Sequence, residues 1–142
     1  MPVESPPKKR VLVVDDDHDQ RLILSGFMAR SGFLVDAVAD GAMALALVGA
    51  QPPDIVLLDA MLPRMDGFEI CRAIRSVPRS RHIPVIIITG QIATAEARAE
   101  SNAVGANAFL EKPLRLAEVL AIVHRLLGDA VGAPGIAESG GR

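Results

Sequence analysis

Three aspartates lie where two apolar runs of the chain end. Asp15 and Asp16 follow the run VLVV, and Asp59 follows the run IVLL. If these runs are neighbouring strands, about 4.8 Å apart, the three carboxylates share one small pocket. Carboxylates held this close repel one another, so the pocket needs a compensating positive charge. Mg²⁺ prefers oxygen ligands and can supply that charge, so the sequence predicts a magnesium site formed by these aspartates.

Two side chains that could act on a phosphoryl group follow other apolar runs. Thr89 follows the run VIII, and Lys112 follows NAFL after one intervening glutamate. A hydroxyl can bond a phosphoryl oxygen, and an ammonium adds a second positive charge. With Asp59 as the nucleophile, this set matches an aspartyl-phosphate site, in which the cation and the lysine offset the charge on the oxygens. Nucleotide binding is not indicated, because the chain has neither a GxxxxGK[ST] loop nor a GxGxxG after its first strand.

Short runs rich in β-branched residues alternate along the chain with helical patterns. They predict strands at residues 11–14, 33–38, 55–58, 85–88 and 107–110, and helices at 19–30, 41–50, 68–77, 93–103 and 114–127. A strand followed by a helix, repeated five times, indicates an α/β fold whose doubly wound sheet has five parallel strands. Ligands bind such sheets beyond the carboxyl ends of the strands, which is where the candidate residues lie.

The composition argues against several classes of function. The net charge is -2, and a nucleic-acid binder would usually present a basic face. The chain has no Trp and no Tyr, so a base-stacking platform is not expected. Its one cysteine, Cys71, can form neither an internal disulfide nor a metal cluster. No apolar run has the length of a membrane span and no signal peptide is recognisable, so we expect a cytoplasmic protein without nucleic-acid or membrane partners.

The predicted folded domain covers residues 10–127. Residues 1–9 contain three prolines and are predicted to form a flexible arm. Residues 128–142 are rich in glycine and are predicted to form a flexible tail or the start of a linker. The segment after Leu127 is too short for an effector domain. Two interpretations stay open: a stand-alone domain, or the amino-terminal piece of a longer protein.

Four motifs, each at the end of a predicted strand, resemble the receiver domain of bacterial two-component response regulators. They are VLVVDDDHD, DIVLLDAMLPRMDGFE, PVIIITG and AFLEKP. The resemblance covers roughly residues 10–127. It implies a CheY-like (βα)5 fold of the flavodoxin type, with the strands in the order 2-1-3-4-5.

The resemblance also implies a role for each matched residue of the acidic cluster. Asp59 would accept a phosphoryl group from a histidine of a sensor kinase or of a histidine phosphotransfer protein. Asp15 and Asp16 would bind Mg²⁺ together with Asp59, and the backbone carbonyl of Met61 would complete the metal ligands. The domain would assist its own phosphorylation and dephosphorylation without being a turnover enzyme.

Three matched residues would respond to phosphorylation: Thr89 as the switch hydroxyl, Lys112 as the lysine bonded to the phosphoryl group, and Phe109 as a switching aromatic. Phe109 fits an ordinary core position equally well. Phosphorylation would change the face formed by the fourth helix, fifth strand and fifth helix. That face would bind an unknown downstream protein or a second copy of the chain.

Two other functions remain open from the sequence. A phosphate-independent adaptor of the same fold should have lost the acceptor or the lysine, yet both Asp59 and Lys112 are present. A Mg²⁺-dependent phosphohydrolase typically carries a second aspartate two residues after its nucleophile, and that position is Met61 here. Asp17 is interpreted as a first-turn acid of a helix. The arginines at positions 72, 75, 79 and 81 are interpreted as a polar helix face and loop.

Overall fold

The computed structural model describes residues 7–128, and these residues are built around one parallel sheet. Its strands are β1 (Arg10–Val14), β2 (Leu34–Val38), β3 (Ile55–Asp59), β4 (Val85–Thr89) and β5 (Ala108–Glu111). They are hydrogen-bonded in the order β2-β1-β3-β4-β5. The predicted fold class and strand order are therefore confirmed. All residues of β3 and β4 are buried, as expected for central strands covered on both faces.

Five helices cover the two faces of this sheet. They are α1 (His18–Arg30), α2 (Gly41–Ala50), α3 (Gly67–Ser76), α4 (Ala95–Ala103) and α5 (Leu116–Leu127). One core lies between the sheet and helices α1 and α5, around Met28 and Val123. The other lies on the opposite face, around Val48 and Ile74 of helices α2 and α3. This arrangement leaves the carboxyl ends of the strands open for a site.

The last two helices begin two residues later than their apolar patterns predict. The side chain of Thr94 accepts a hydrogen bond from the backbone N–H of Ala97, so Thr94 is the N-cap of α4. Before α5, the peptide bond between Lys112 and Pro113 is cis, and Arg115 takes the N-cap position. The residues before each helix therefore belong to loops at the carboxyl edge of the sheet.

Arg75 lies on α3, half-buried, and makes contacts that its interpretation as part of a polar helix face did not include. Its guanidinium donates hydrogen bonds to the backbone oxygens of Gly105 at 3.0 Å and Ile83 at 2.6 Å, and to Asn107 Oδ1 at 2.8 Å. Asn107 Oδ1 also accepts the N–H of Val85 at 2.9 Å. Arg75 thus ties α3 to the segments that enter β4 and β5. Its planar group has several donors, and the chain offers them carbonyl oxygens from distant residues.

Most of the predicted arm and tail lies outside the described residues, which begin at 7 and end at 128. Gly128, where the predicted tail starts, caps α5 in a left-handed conformation with φ of 76°. Among residues 7–128, no helix is long and apolar enough to cross a membrane.

Candidate functional site

The three predicted aspartates meet at the carboxyl edge of the sheet. Val14 pairs with Leu58 in the ladder between β1 and β3, so the residues that follow them, Asp15 and Asp59, stand side by side. One ligand atom from each of Asp15, Asp16 and Asp59 lies within 4.8 Å of the others. Asp15 and Asp59 are buried, whereas Asp16 is exposed. The strand register alone therefore brings together carboxylates that are far apart in sequence.

The ammonium of Lys112 lies between two of these carboxylates. Its Nζ is 3.3 Å from Asp15 Oδ2 and 3.2 Å from Asp59 Oδ2. The lysine follows β5. Its backbone N–H donates to the backbone carbonyl oxygen of Thr89 at 2.8 Å, and this bond fixes the end of β5 against β4. The cluster contains three carboxylates and this ammonium pairs with two of them, so the cluster keeps an excess of negative charge.

Backbone N–H groups fix the orientation of the two buried carboxylates. The N–H of Met61 donates to Asp59 Oδ1 at 3.0 Å, and the N–H of Asp17 donates to Asp15 Oδ1 at 2.9 Å. Burial raises the pKa of Asp59, and so does the nearby charge of Asp15, although the Met61 N–H and Lys112 act in the opposite direction. Asp59 is thus a carboxylate kept in an environment that disfavours its charge.

Asp17 contacts the cluster through its backbone N–H only, and its carboxylate caps a helix. Asp17 is the N-cap of α1, and its side chain accepts the N–H of Gln20 at 3.0 Å. Asp66 has the same role for α3, where it forms a capping box with Glu69. Both residues thus stabilise helix starts that border the site.

Thr89 and Phe109 lie on neighbouring strands but in different surroundings. Thr89 ends β4 and is buried, and its hydroxyl oxygen accepts the N–H of Gln91 at 3.1 Å. The ring of Phe109 packs 6.1 Å from that of Phe68, and the guanidinium of Arg98 lies 5.6 Å from its centre. Phe109 therefore stands away from the carboxylates, between α3 and α4.

Two residues that support the site were not identified from the sequence. Arg21 Nη1 donates to the backbone oxygen of Asp15 at 2.8 Å, and Glu111 Oε2 accepts the N–H of Ala93 at 3.1 Å. Arg21 stands one helical turn after the N-cap of α1, a position from which a long side chain can return to the preceding loop. This spacing is the only feature of the sequence that indicates the Arg21 contact. The acceptor is a backbone oxygen, which every residue type has, so the identity of residue 15 does not indicate the bond.

The Gly67→Ala substitution is expected to lower the free energy of unfolding by about 1–3 kcal/mol and to disturb Asp59. A Cβ at Gly67 would lie 2.5 Å from the backbone oxygen of Asp59 and 2.9 Å from Ala60 Cα, so the end of β3 must shift. The matched control is Gly49→Ala in α2, where a Cβ would meet nothing within 4 Å. That change should stabilise by roughly 0.5–1 kcal/mol. Urea unfolding followed by circular dichroism measures both, and equal stability changes would contradict the close approach.

Comparisons with known proteins agree with this geometry. The family model described as the response regulator receiver domain matches residues 11–124. The response regulator MprA of Mycolicibacterium vanbaalenii is 38% identical over 130 residues, which are 92% of this chain and 55% of that protein. The chain thus spans about half the length of the curated relatives it matches.

Solved structures share the fold as well. The chemotaxis response regulator CheY4 of Vibrio cholerae has a TM-score of 0.79 and 31% identity, over 84% of this chain and 99% of that one. The receiver domain of the sensor histidine kinase PA1611 of Pseudomonas aeruginosa has a TM-score of 0.79 and 30% identity, over 87% of this chain and 100% of that one. That structure holds a magnesium ion in its active-site cleft. With strand order, acidic cluster and family match in agreement, the chain belongs to the response regulator receiver domain family.

Proposed function

We propose that residues 10–127 form a phosphorelay receiver in which Asp59 accepts a phosphoryl group from the histidine of a sensor kinase or of a histidine phosphotransfer protein. The observation that carries the proposal is the setting of the Asp59 carboxylate. It is buried at the end of β3, shares Lys112 with Asp15 and lies within a cluster of three carboxylates. A nucleophile next to a cation and a metal site is the arrangement that phosphoryl transfer requires.

The donor set in this cluster fits Mg²⁺. Asp15, Asp16 and Asp59 offer hard oxygen ligands within 4.8 Å of one another, and one ammonium alone cannot balance their charge. We propose these three residues as metal ligands, with the backbone carbonyl of Met61 as a further one. When bound, Mg²⁺ would supply positive charge next to the phosphoryl oxygens. The magnesium ion in the cleft of the PA1611 receiver domain supports this assignment.

In the transfer step, an oxygen of the Asp59 carboxylate attacks phosphorus, and the bond between phosphorus and the histidine nitrogen breaks. The nitrogen keeps the electron pair of that bond. The Met61 N–H holds Oδ1 of Asp59 in place, and the ammonium of Lys112 offsets the negative charge of the incoming group. Only the ionised carboxylate is a nucleophile, and the positive charges of Mg²⁺ and Lys112 next to it would favour that form.

The response to phosphorylation would begin at Thr89. Its hydroxyl now accepts the N–H of Gln91, and a phosphoryl group on Asp59 offers a charged acceptor to the same hydroxyl. A rotation of Thr89 would release the loop before α4, and Phe109 on the neighbouring strand would repack. The face formed by α4, β5 and α5 would then bind a downstream protein or a second copy of the chain.

Incubation with acetyl phosphate and Mg²⁺, followed by intact mass measurement, tests this proposal. We expect a labile adduct of one phosphoryl group that requires Mg²⁺ and is absent from Asp59→Asn. The control Asp19→Asn changes an exposed aspartate of α1 and should be labelled like the wild type. An unmodified wild type, under conditions that label a known receiver, would favour the adaptor. Continuous turnover of the donor without an adduct would favour the phosphohydrolase.

A further inference from the structure

A cavity of about 560 Å³ extends from the phosphoacceptor into the gap between α1 and α5. Asp59, Asp15 and Lys112 stand at its polar end. The rest of its wall is mainly apolar and includes Ile23, Leu24, Leu57, Ile88, Leu114 and Leu116. This volume is in the range of small-molecule sites, which combine an apolar wall with a few polar groups.

We propose that this cavity is an acyl subsite, and that the site accepts phosphoryl groups from small acyl phosphates whose acyl chain is longer than acetyl. The inference rests on the proposed function, since it names a class of phosphodonor for Asp59. A donor of this class has one charged end and one apolar end, and so does the cavity.

The charges at the polar end favour the phosphoryl group of such a donor over a free carboxylate. Lys112 alone is already shared by Asp15 and Asp59, so an added anion binds well only together with a divalent cation. A phosphoryl group supplies several oxygens for that cation and for the ammonium. The apolar wall of the cavity cannot bind the charged phosphoryl group. It can contact the acyl chain of the donor, which is apolar.

The chemistry of the transfer is balanced without any further reactant. An oxygen of Asp59 forms a bond to phosphorus, and the bond from phosphorus to the acyl oxygen breaks. The carboxylate leaves with the electron pair, and no proton has to move. An acyl phosphate is exchanged for an aspartyl phosphate, so one mixed anhydride replaces another.

Ile23 offers a test of the subsite because it lines the cavity from α1 while its side chain is largely accessible. Ile23 is 59% exposed, and its neighbour Leu22, which does not line the cavity, is 62% exposed. Both positions should therefore accept a polar residue without unfolding. Leu116, at the start of α5, provides a second position on the opposite side of the cavity.

The experiment compares acetyl, butyryl and hexanoyl phosphate as donors to the wild type, with Mg²⁺, by intact mass. The second-order rate constant should rise roughly two- to fourfold for each added methylene until the cavity is filled, the upper value being that of a methylene fully removed from water. The three leaving carboxylates have nearly the same basicity, so intrinsic reactivity does not produce such a trend.

Variants then locate the effect. Ile23→Gln and Leu116→Gln should each reduce the ratio of the hexanoyl to the acetyl rate constant by at least half, whereas Leu22→Gln should keep the wild-type ratio. Circular dichroism confirms folding of each variant. Equal rate constants for the three donors in a labelled wild type would overturn the acyl subsite, leave the cavity to a protein partner and leave the proposed function intact. No labelling by any donor would instead overturn the proposed function.

Discussion

The Lys112→Met substitution is expected to lower the free energy of unfolding by about 2–3 kcal/mol at about pH 8 without Mg²⁺. Methionine keeps much of the aliphatic volume but removes the ammonium that faces Asp15 and Asp59 at 3.3 and 3.2 Å. Removing one partner of a buried ion pair costs ~3–5 kcal/mol, and partial access of Lys112 to solvent reduces that figure. Two buried carboxylates would then face each other without a positive charge.

The loss should depend on pH, and its sign follows from the pKa of Asp59. Burial already raises this pKa above the ordinary value of 3.8, and Lys112 lowers it, so the variant raises it further. A carboxyl group whose folded-state pKa is raised destabilises the protein when it is ionised. The penalty is therefore complete above the raised pKa, and it disappears as the pH falls toward 3.8, where the unfolded chain also takes up the proton.

Urea titrations at about pH 8, 6.5 and 5, followed by circular dichroism, measure this effect. The chain has no Trp and no Tyr, so intrinsic fluorescence offers no useful signal. The control is Lys9→Met, which removes an exposed lysine before β1 and should change stability by less than about 0.5 kcal/mol. A loss for Lys112→Met of the same size at all three pH values would show that the lysine contributes packing and not charge.

The sheet and the acidic cluster could be predicted from the sequence because both depend on the strands. A short run of β-branched residues such as residues 85–88 strongly favours a buried strand. In the structure β4 extends one residue beyond that run, to Thr89. Once the order of strands is given, the residue after each strand has a defined neighbour. Asp15 and Asp59 therefore come together with no information about side chains.

Contacts made by long side chains could not be predicted in this way. Arg75 and Arg21 both donate to backbone oxygens, which every residue type offers equally. The direction of the Thr89 hydroxyl, toward the N–H of Gln91, also depends on the local loop and not on residue type. The cavity between α1 and α5 depends on how closely two helices pack, a distance that no periodicity encodes.

The Asp59→Asn substitution is also expected to change the free energy of unfolding, in the direction opposite to Lys112→Met. Without Mg²⁺ the amide should raise the free energy of unfolding by about 1 kcal/mol at neutral pH, because it removes a buried charge that desolvation and Asp15 disfavour while Lys112 stays paired with Asp15. The amide oxygen can still accept the N–H of Met61, and Lys112 keeps its pair with Asp15. The substitution removes the negative charge of Asp59, which burial and the nearby Asp15 disfavour.

Addition of Mg²⁺ should reverse this order of stability. A ligand that binds only the folded state stabilises that state. At a free concentration 100 times its dissociation constant, the gain in free energy of unfolding is about 2.7 kcal/mol. The wild type offers three carboxylates to the ion and the variant two, so the wild type should gain most of this amount and the variant much less. Urea titrations with and without Mg²⁺ measure the four free energies. Asp19→Asn, the matched amide control, should gain as much as the wild type. An equal gain for Asp59→Asn would mean that the ion binds elsewhere, and it would remove Asp59 from the metal site.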